Sequence, residues 1–119
     1  MLLVSQNIWE LNKLLNHLAS PMVECEKALD LETATKILST RSQDVLVIDS
    51  ELTNPPHEKM SDLVETLKSD FHNVRIVVFN GVSNRSVQRR IRRRGADGYL
   101  SGKNNIKKVA GSVQRFIGS

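Results

Sequence analysis

Five short apolar runs alternate with five segments of helical periodicity along the 119 residues, and this alternation restricts the fold more than any other feature. Apolar residues spaced three and four apart indicate helices that bury one face, whereas short unbroken apolar runs indicate strands that are buried on both faces. Strands that are joined through helices pair in parallel, with right-handed crossovers. The sequence therefore predicts a doubly wound α/β sandwich, in which one five-stranded parallel sheet lies between two layers of helices.

Local signals place several boundaries of these elements. Asp30 can accept hydrogen bonds from the first free amides of the second helix. The fourth helix is predicted from about Asn84 to Arg94, and Gly95 can close it because glycine adopts the left-handed C′ conformation without strain. A loop is predicted over Thr53-Asn54-Pro55-Pro56. The first four predicted strands cover Leu2 to Val4, Met22 to Ala28, Val45 to Ile48, and Ile76 to Phe79, and Tyr99-Leu100 starts the fifth.

The composition is that of one folded domain, predicted to cover residues 1–119. Hydrophobic residues make up 39% of the chain, which is enough to fill one core. No apolar run approaches the roughly 20 residues that span a bilayer, and the N-terminus lacks the zones of a signal peptide. We therefore predict a cytoplasmic protein that has no membrane partner.

The sequence carries no pattern typical of a metal centre or of an enzyme. Cys25 is the single cysteine, so it forms no internal disulfide, and it has no evident activating partner. His17, His57 and His72 lie in separate segments without ligand spacing. The segment Val4-Ser5-Gln6-Asn7-Ile8 has neither a dinucleotide fingerprint nor a Walker lysine. We predict no cofactor, no metal and no enzymatic activity.

Asp49 is the residue on which a functional interpretation depends. It ends the run Asp44-Val45-Leu46-Val47-Ile48-Asp49, which reads as a buried strand with a carboxylate at its C-terminal end. Open parallel sheets bind their ligands beyond the carboxyl ends of the strands. Glu51, two residues later, is a poorly placed second acid. In the simplest interpretation, Asp49 only caps the strand end or accepts hydrogen bonds from loop amides.

The five units, the acid-ended third strand and the hexapeptide Gly95-Ala96-Asp97-Gly98-Tyr99-Leu100 together resemble the receiver domain of bacterial response regulators. The resemblance covers essentially the whole chain, and the hexapeptide is nearest to receivers of regulators that carry a helix-turn-helix. It implies a flavodoxin-like (βα)5 fold and a role in two-component signal transduction or transcription regulation. It also implies that Asp49 stands at the phospho-acceptor position.

The residues that the resemblance places beside Asp49 depart from the receiver pattern. An acidic pair after the first strand normally holds magnesium together with the acceptor aspartate, but Ser5, Gln6 and Asn7 occupy these positions. Magnesium gives up its water reluctantly, so one carboxylate is a weak site for it. We therefore predict a degenerate acidic pocket without a metal.

The positions that transmit phosphorylation in receivers are also changed in part. Asn80 stands where the resemblance implies a serine or threonine at the end of the fourth strand, while Tyr99 matches the switch aromatic. The expected lysine position falls on Gly102, and Lys103 is one residue late unless a local bulge brings it back. We interpret the chain as a pseudo-receiver, in which Asp49 is inactive as a phospho-acceptor.

The fourth helix concentrates positive charge. Six of the chain's 17 basic residues, and none of its 13 acidic ones, lie between positions 84 and 94. At about 100° per residue, Val87 and Ile91 share the side that faces the core. The opposite side carries arginine at four positions: Arg85, Arg89, Arg92 and Arg93.

Three interpretations of these arginines remain open. They can form a solvated face with partial salt bridges, or an interface for a protein partner or a second copy, because receivers commonly use the fourth helix, fifth strand and fifth helix for such contacts. They can also bind the phosphates of a nucleic acid or of a cyclic dinucleotide.

Our main prediction is a phosphorylation-independent receiver-like domain of a signal-transduction or transcription regulator, acting through dimerisation or a protein partner on that surface. Nucleic acid is expected to bind a domain outside this chain. The alternatives are a phospho-accepting switch that uses Asp49, and an anion-binding module centred on the fourth helix.

Overall fold

The computed structural model describes residues 1–18, 24–53, 56–102 and 106–117, and these residues form the predicted alternation of strands and helices. The strands are β1 (Leu2–Val4), β2 (Glu26–Ala28), β3 (Val45–Asp49), β4 (Arg75–Gly81) and β5 (Gly98–Ser101). The α-helices are α1 (Ile8–Leu18), α2 (Leu31–Thr40), α3 (Pro56–Asp70), α4 (Arg85–Arg94) and α5 (Ile106–Ile117). A 3₁₀ turn over Ser50–Leu52 follows β3.

The five strands form one parallel sheet in the order β2-β1-β3-β4-β5. The predicted doubly wound α/β sandwich is therefore confirmed. The strand order reverses between β1 and β3, and in folds of this kind a crevice opens beyond the carboxyl ends of the strands at such a switch point. Asp49 ends β3 at this point, and Ser5 directly follows β1.

The sheet separates two hydrophobic clusters. Strand side chains alternate between the two faces, so a strand that is buried on both faces needs apolar residues at successive positions. Leu46, Ile48 and Val78 belong to the cluster that includes residues of α2, α3 and α4. Val47, Val77 and Phe79 belong to the cluster that includes residues of α1 and α5. This arrangement places α4 and α5 on opposite faces of the sheet.

The predicted helix boundaries are confirmed where the sequence carried a capping signal. The Asp30 carboxylate accepts a hydrogen bond from the Thr33 amide at 2.7 Å and caps α2. The Asn84 side chain accepts from the amides of Ser86 and Val87 at 2.9 and 3.2 Å and caps α4. Gly95 follows α4 with a φ of 132°, a conformation that glycine adopts without strain.

Two predicted strand lengths were wrong. β2 begins at Glu26, because among the described residues it is an edge strand whose pairing is with the three residues of β1. Half-buried Cys25 precedes it, and burial raises the pKa of the Cys25 thiol, while Met22 lies outside the described residues. β4 continues beyond Phe79 to Gly81, and its pairing with β5 shifts register between Val78 and Gly81. In the predicted loop, Asn54 and Pro55 are likewise not described, and α3 begins at Pro56.

Candidate functional site

The carboxylate of Asp49 is buried, and both of its oxygens accept hydrogen bonds from the protein. Asp49 is only 4% exposed. Its Oδ2 accepts from the Ser5 hydroxyl at 2.7 Å. Its Oδ1 accepts from the Glu51 amide at 2.9 Å and from the Asn80 side-chain amide at 3.2 Å. These donors offset the cost of removing the carboxylate from water.

Three adjacent strands bring these groups together. Val4 pairs with Ile48 across β1 and β3, so the residues that follow them, Ser5 and Asp49, lie side by side. Asp49 pairs with Phe79 across β3 and β4, which places Asn80 next to the carboxylate. The cluster thus follows from parallel pairing, because the carboxyl ends of all three strands meet at one edge of the sheet.

Asn80 joins two carboxylates. Its side-chain nitrogen donates to Asp49 and also to Oε2 of Glu10 at 3.0 Å, with Oε1 of Glu10 at 3.4 Å. The backbone of Asn80 has a φ of 57°, the left-handed region that asparagine tolerates better than most residues. This conformation occurs where β4 shifts register against β5.

Sequence reasoning missed Glu10. It lies in the first turn of α1 and is 8% exposed, and its bond to Asn80 brings a second carboxylate close to Asp49. The only signal available was the spacing Asn7-x-x-Glu10, which is typical of a helix N-terminus and does not point to a site. The N-terminal end of a helix favours a negative charge, which helps α1 to carry this buried acid.

Only one of the three predicted pocket positions contacts Asp49. Ser5 is fully buried and donates to it. Asn7 is exposed, and its side-chain oxygen caps α1 by accepting from the amides of Trp9 and Glu10 at 3.1 and 3.2 Å. Gln6 is exposed.

These groups do not fit the magnesium ion that the receiver resemblance implies. Magnesium needs several oxygen ligands in octahedral geometry, most of them free to face the metal. Here the Asp49 oxygens face Ser5 and the loop amide of Glu51, and an NH₂ donor from Asn80 contacts both carboxylates. Within residues 1–18, 24–53, 56–102 and 106–117, no group of three His, Cys, Asp or Glu side chains has a metal-binding arrangement. Lys103, the displaced lysine, lies outside this part of the chain.

Tyr99 is held inside the fold next to the end of β4. It is 5% exposed, and its hydroxyl donates to the carbonyl oxygen of Val82 at 2.7 Å. Burial raises the pKa of the Tyr99 phenol. Because Gly81 and Val82 directly follow Asn80, one short segment contacts Asp49 through its first residue and Tyr99 through its last.

Most arginines of α4 are exposed and make no ion pair with a described residue. Arg94 is the exception, since it pairs with Asp62 and Glu65 of α3 at 3.4 and 3.1 Å. Arg92 reaches the carbonyl oxygen of Asp97 at 3.5 Å. Val87 and Ile91 are buried, as predicted. The remaining exposed set, which we call the arginine face, consists of Arg85, Arg89, Arg90, Arg92 and Arg93.

Solved structures of response regulators resemble the whole fold of this chain. A response regulator from Thermotoga maritima superposes with a TM-score of 0.82 at 15% identity, covering 99% of this chain and 96% of that one. HP1043, an orphan response regulator of H. pylori, gives 0.81 at 14% identity, with 98% and 93% covered. The chain has the receiver-domain fold.

A further receiver neighbour is a response regulator from Burkholderia pseudomallei, whose structure contains a phosphorylated aspartic acid and a calcium ion. It matches at a TM-score of 0.74 and 21% identity, over 96% of this chain and 69% of that one. No family model and no curated protein matches the sequence. In the described residues, no helix has the length and apolar character needed to cross a membrane.

Proposed function

We propose that this receiver-fold chain is a signal-transduction domain that works without phosphorylation of Asp49 and acts through contacts on the surface formed by α4, β5 and α5. The observation that carries the proposal is the state of the Asp49 carboxylate. Both of its oxygens are engaged by Ser5, Glu51 and Asn80, and the residue is almost fully buried. An incoming phosphoryl group must reach the nucleophilic oxygen, and the burial of Asp49 together with these hydrogen bonds opposes that approach.

Charge around the carboxylate supports the same conclusion. Phosphoryl transfer needs cations or donors that offset the negative charge of the phosphoryl oxygens. Glu10 adds a second carboxylate, joined to Asp49 through the Asn80 amide. An incoming phosphoryl group would have to displace hydrogen bonds to a charged group, each worth about 1.5–3 kcal/mol, while meeting additional negative charge.

The position of Tyr99 supports a contact surface of fixed shape. The ring is buried and its hydroxyl donates to the carbonyl oxygen of Val82, so contacts within the fold anchor the segment between β4 and α4. A domain of this kind would present α4 and β5 to a partner continuously. A protein partner or a second copy, a role in transcription regulation, and a cytoplasmic location stay predictions.

A phospho-accepting switch is the second candidate function. Asp49 lies at the end of β3 and Tyr99 lies on β5, with β4 between the two strands, and the receiver resemblance implies a phospho-acceptor and a switch aromatic at these two positions. In this alternative, the Ser5 and Asn80 hydrogen bonds would open when a metal and a phosphoryl donor bind. The two candidates therefore differ in the response of the Asp49 cluster to these ligands.

Amide NMR spectra recorded during addition of magnesium and then beryllofluoride, a mimic of the acyl phosphate, test the proposal. We expect no saturable shifts at Asp49, Asn80 or Tyr99. Asp49→Asn is the matched control, because it keeps the shape of the side chain and removes its charge. Saturable shifts that spread to Tyr99 in the natural chain, and that are absent in Asp49→Asn, would establish the switch and contradict the proposal.

A further inference from the structure

Charge is divided very unevenly along the chain. Residues 82–119 contain 10 of the 17 basic residues and only one of the 13 acidic residues, Asp97. Residues 1–81 contain the other seven basic and 12 acidic residues. The formal charges of the two parts are thus +9 and −5, which together give the +4 of the whole chain. The positive part corresponds to α4, β5 and α5, the surface on which the proposed function rests.

The arginine face is the uncompensated centre of this positive part. Its five guanidinium groups have no ion pair within the described residues. Asp62 and Glu65 of α3 form ion pairs with Arg94 instead. Asp97 does not neutralise the face, because its carboxylate is bound to the Lys68 ammonium at 3.0 Å and to the Ile76 amide at 2.9 Å. Lys107 and Arg115 add exposed positive charge on α5.

A second copy of the chain is a poor partner for this face. A two-fold symmetric contact places the same patch of both subunits together, so arginine would meet arginine. Such charges repel strongly within a Debye length of about 8 Å, and α4 contains no acid with which a neighbouring copy could pair. The charge therefore opposes a symmetric dimer built on α4.

An acidic protein is also a weaker match than a phosphate backbone. Stable protein interfaces have a desolvated centre in which arginine is common, but it is surrounded there by apolar and aromatic side chains. The large hydrophobic residues exposed in the described chain are Ile8, Trp9, Leu29 and Val82, and only Val82, 37% exposed, lies beside α4. The arginine face thus has a charged centre, as expected of surfaces that bind phosphates.

We propose that the arginine face binds the phosphate backbone of double-stranded nucleic acid without reading its sequence. Guanidinium groups form paired hydrogen bonds with phosphate oxygens. From Arg85 to Arg93 the face extends about 12 Å at a rise of 1.5 Å per residue, which is enough to reach several phosphates. Single strands fit less well, because Tyr99 is buried and Phe116 is half-buried, so neither offers an exposed ring for base stacking.

Fluorescence anisotropy with a labelled duplex of mixed sequence tests this proposal over a series of potassium chloride concentrations. We expect a Kd of about 10⁻⁶–10⁻⁴ M at physiological salt, and three to five phosphate contacts would give a slope of about −2.7 to −4.5 for log K against log salt. A scrambled duplex should bind equally well. Binding should weaken at least about tenfold in Arg89→Glu with Arg93→Glu, because both charges are reversed at the centre of the face.

A matched charge control separates this face from net charge alone. Lys36→Glu with Lys59→Glu changes the net charge by the same amount on exposed positions of α2 and α3. We expect this variant to keep its affinity within about threefold, because these positions lie outside the contact. Circular dichroism of both variants checks that they are folded.

Several results would overturn the assignment. These are no binding at low salt, equal loss of binding in the two double variants, or equally tight binding of poly-glutamate, which would assign the face to an acidic protein. A dimer that dissociates in Arg89→Glu with Arg93→Glu, measured by sedimentation, would assign it to a second copy. If beryllofluoride causes no shifts and the duplex does not bind, only this inference is contradicted. If beryllofluoride causes saturable shifts at Tyr99, the proposed function is contradicted.

Discussion

The ring of Tyr99 occupies the space into which any side chain at position 81 would project. A Cβ atom added to Gly81 would lie 2.3 Å from Cζ and 2.4 Å from the hydroxyl oxygen of Tyr99, much closer than atoms that are not bonded can approach. The buried position of Tyr99 therefore depends on glycine at position 81. Since Asn80 and Val82 flank this glycine, the same segment also holds the Asp49 cluster and accepts the Tyr99 hydrogen bond.

Gly81→Ala should expel the Tyr99 ring. We expect the free energy of unfolding to fall by about 1–3 kcal/mol, because overpacking forces the ring out and breaks its bond to Val82. Urea unfolding measures this loss. In a Tyr99→Ala background the same substitution should cost much less, and an equal cost in both backgrounds would show that the ring is not what the new methyl group meets.

Alkaline pH should weaken the fold through Tyr99. Burial raises the pKa of the phenol above its usual 10.0, so the folded state favours the protonated form. The stabilisation that the protonated phenol contributes is fully present below the pKa of Tyr99 in the unfolded chain. It is lost as the pH rises through the pKa of Tyr99 in the folded chain. Tyrosinate absorbance reports the titration without overlap, because the chain has one tyrosine. The Tyr99→Phe variant shows how much stability is lost at alkaline pH through groups other than Tyr99, such as the lysines. If the phenol of the folded protein titrates at the ordinary pKa, the prediction is contradicted.

Asn80→Asp should destabilise the chain more than Asn80→Gly at neutral pH. Aspartate has nearly the same shape, but it replaces the donor that joins Glu10 and Asp49 by a third carboxylate. We expect a cost of at least about 2 kcal/mol, which should shrink in acid as a carboxyl group gains a proton and can donate. Denaturant unfolding at two pH values measures the difference. Asn80→Gly removes the amide and keeps the backbone conformation, so equal losses in both variants would mean that charge is unimportant there.

Asp30→Ala should lower the melting temperature at neutral pH and have little effect in strong acid. Hydrogen bonds from Thr33 hold the pKa of the Asp30 carboxyl below its usual 3.8, so the charged form stabilises α2. This stabilisation is present above the usual pKa and is lost as the pH falls through the folded value. Thermal unfolding across this range tests the prediction. Asp30→Asn is the control, because its side-chain oxygen can still accept the hydrogen bond but does not titrate. If Asp30→Ala lowers the melting temperature equally at every pH, the prediction is contradicted.

The order of strands and helices was predictable from the sequence because its causes are local or periodic. Apolar spacing distinguishes helices from strands, and Asp30, Asn84 and Gly95 act on amides or carbonyls within a few residues. Even so, β2 was predicted too long, because its length is set by the three residues of β1, its neighbour in the described sheet. Periodicity contains no information about how long a partner strand is.

The candidate site was predictable only in part, for the same reason. Parallel pairing places Ser5, Asp49 and Asn80 at one edge of the sheet, and all three positions were predicted from the sequence. Glu10 was not predicted, and its contact with Asn80 joins residues 70 positions apart. No local pattern distinguishes a glutamate that turns toward the sheet from one that faces water.

Local sequence thus decides which segments become helix or strand, and it decides that α4 carries arginine opposite Val87 and Ile91, because these properties repeat at the period of each element. The packed fold decides whether those charges are paired, and which donors occupy Asp49. It also decides that Gly81 makes room for Tyr99. These outcomes depend on distances between segments that are remote along the chain, and they are set only when both faces of the sheet are covered.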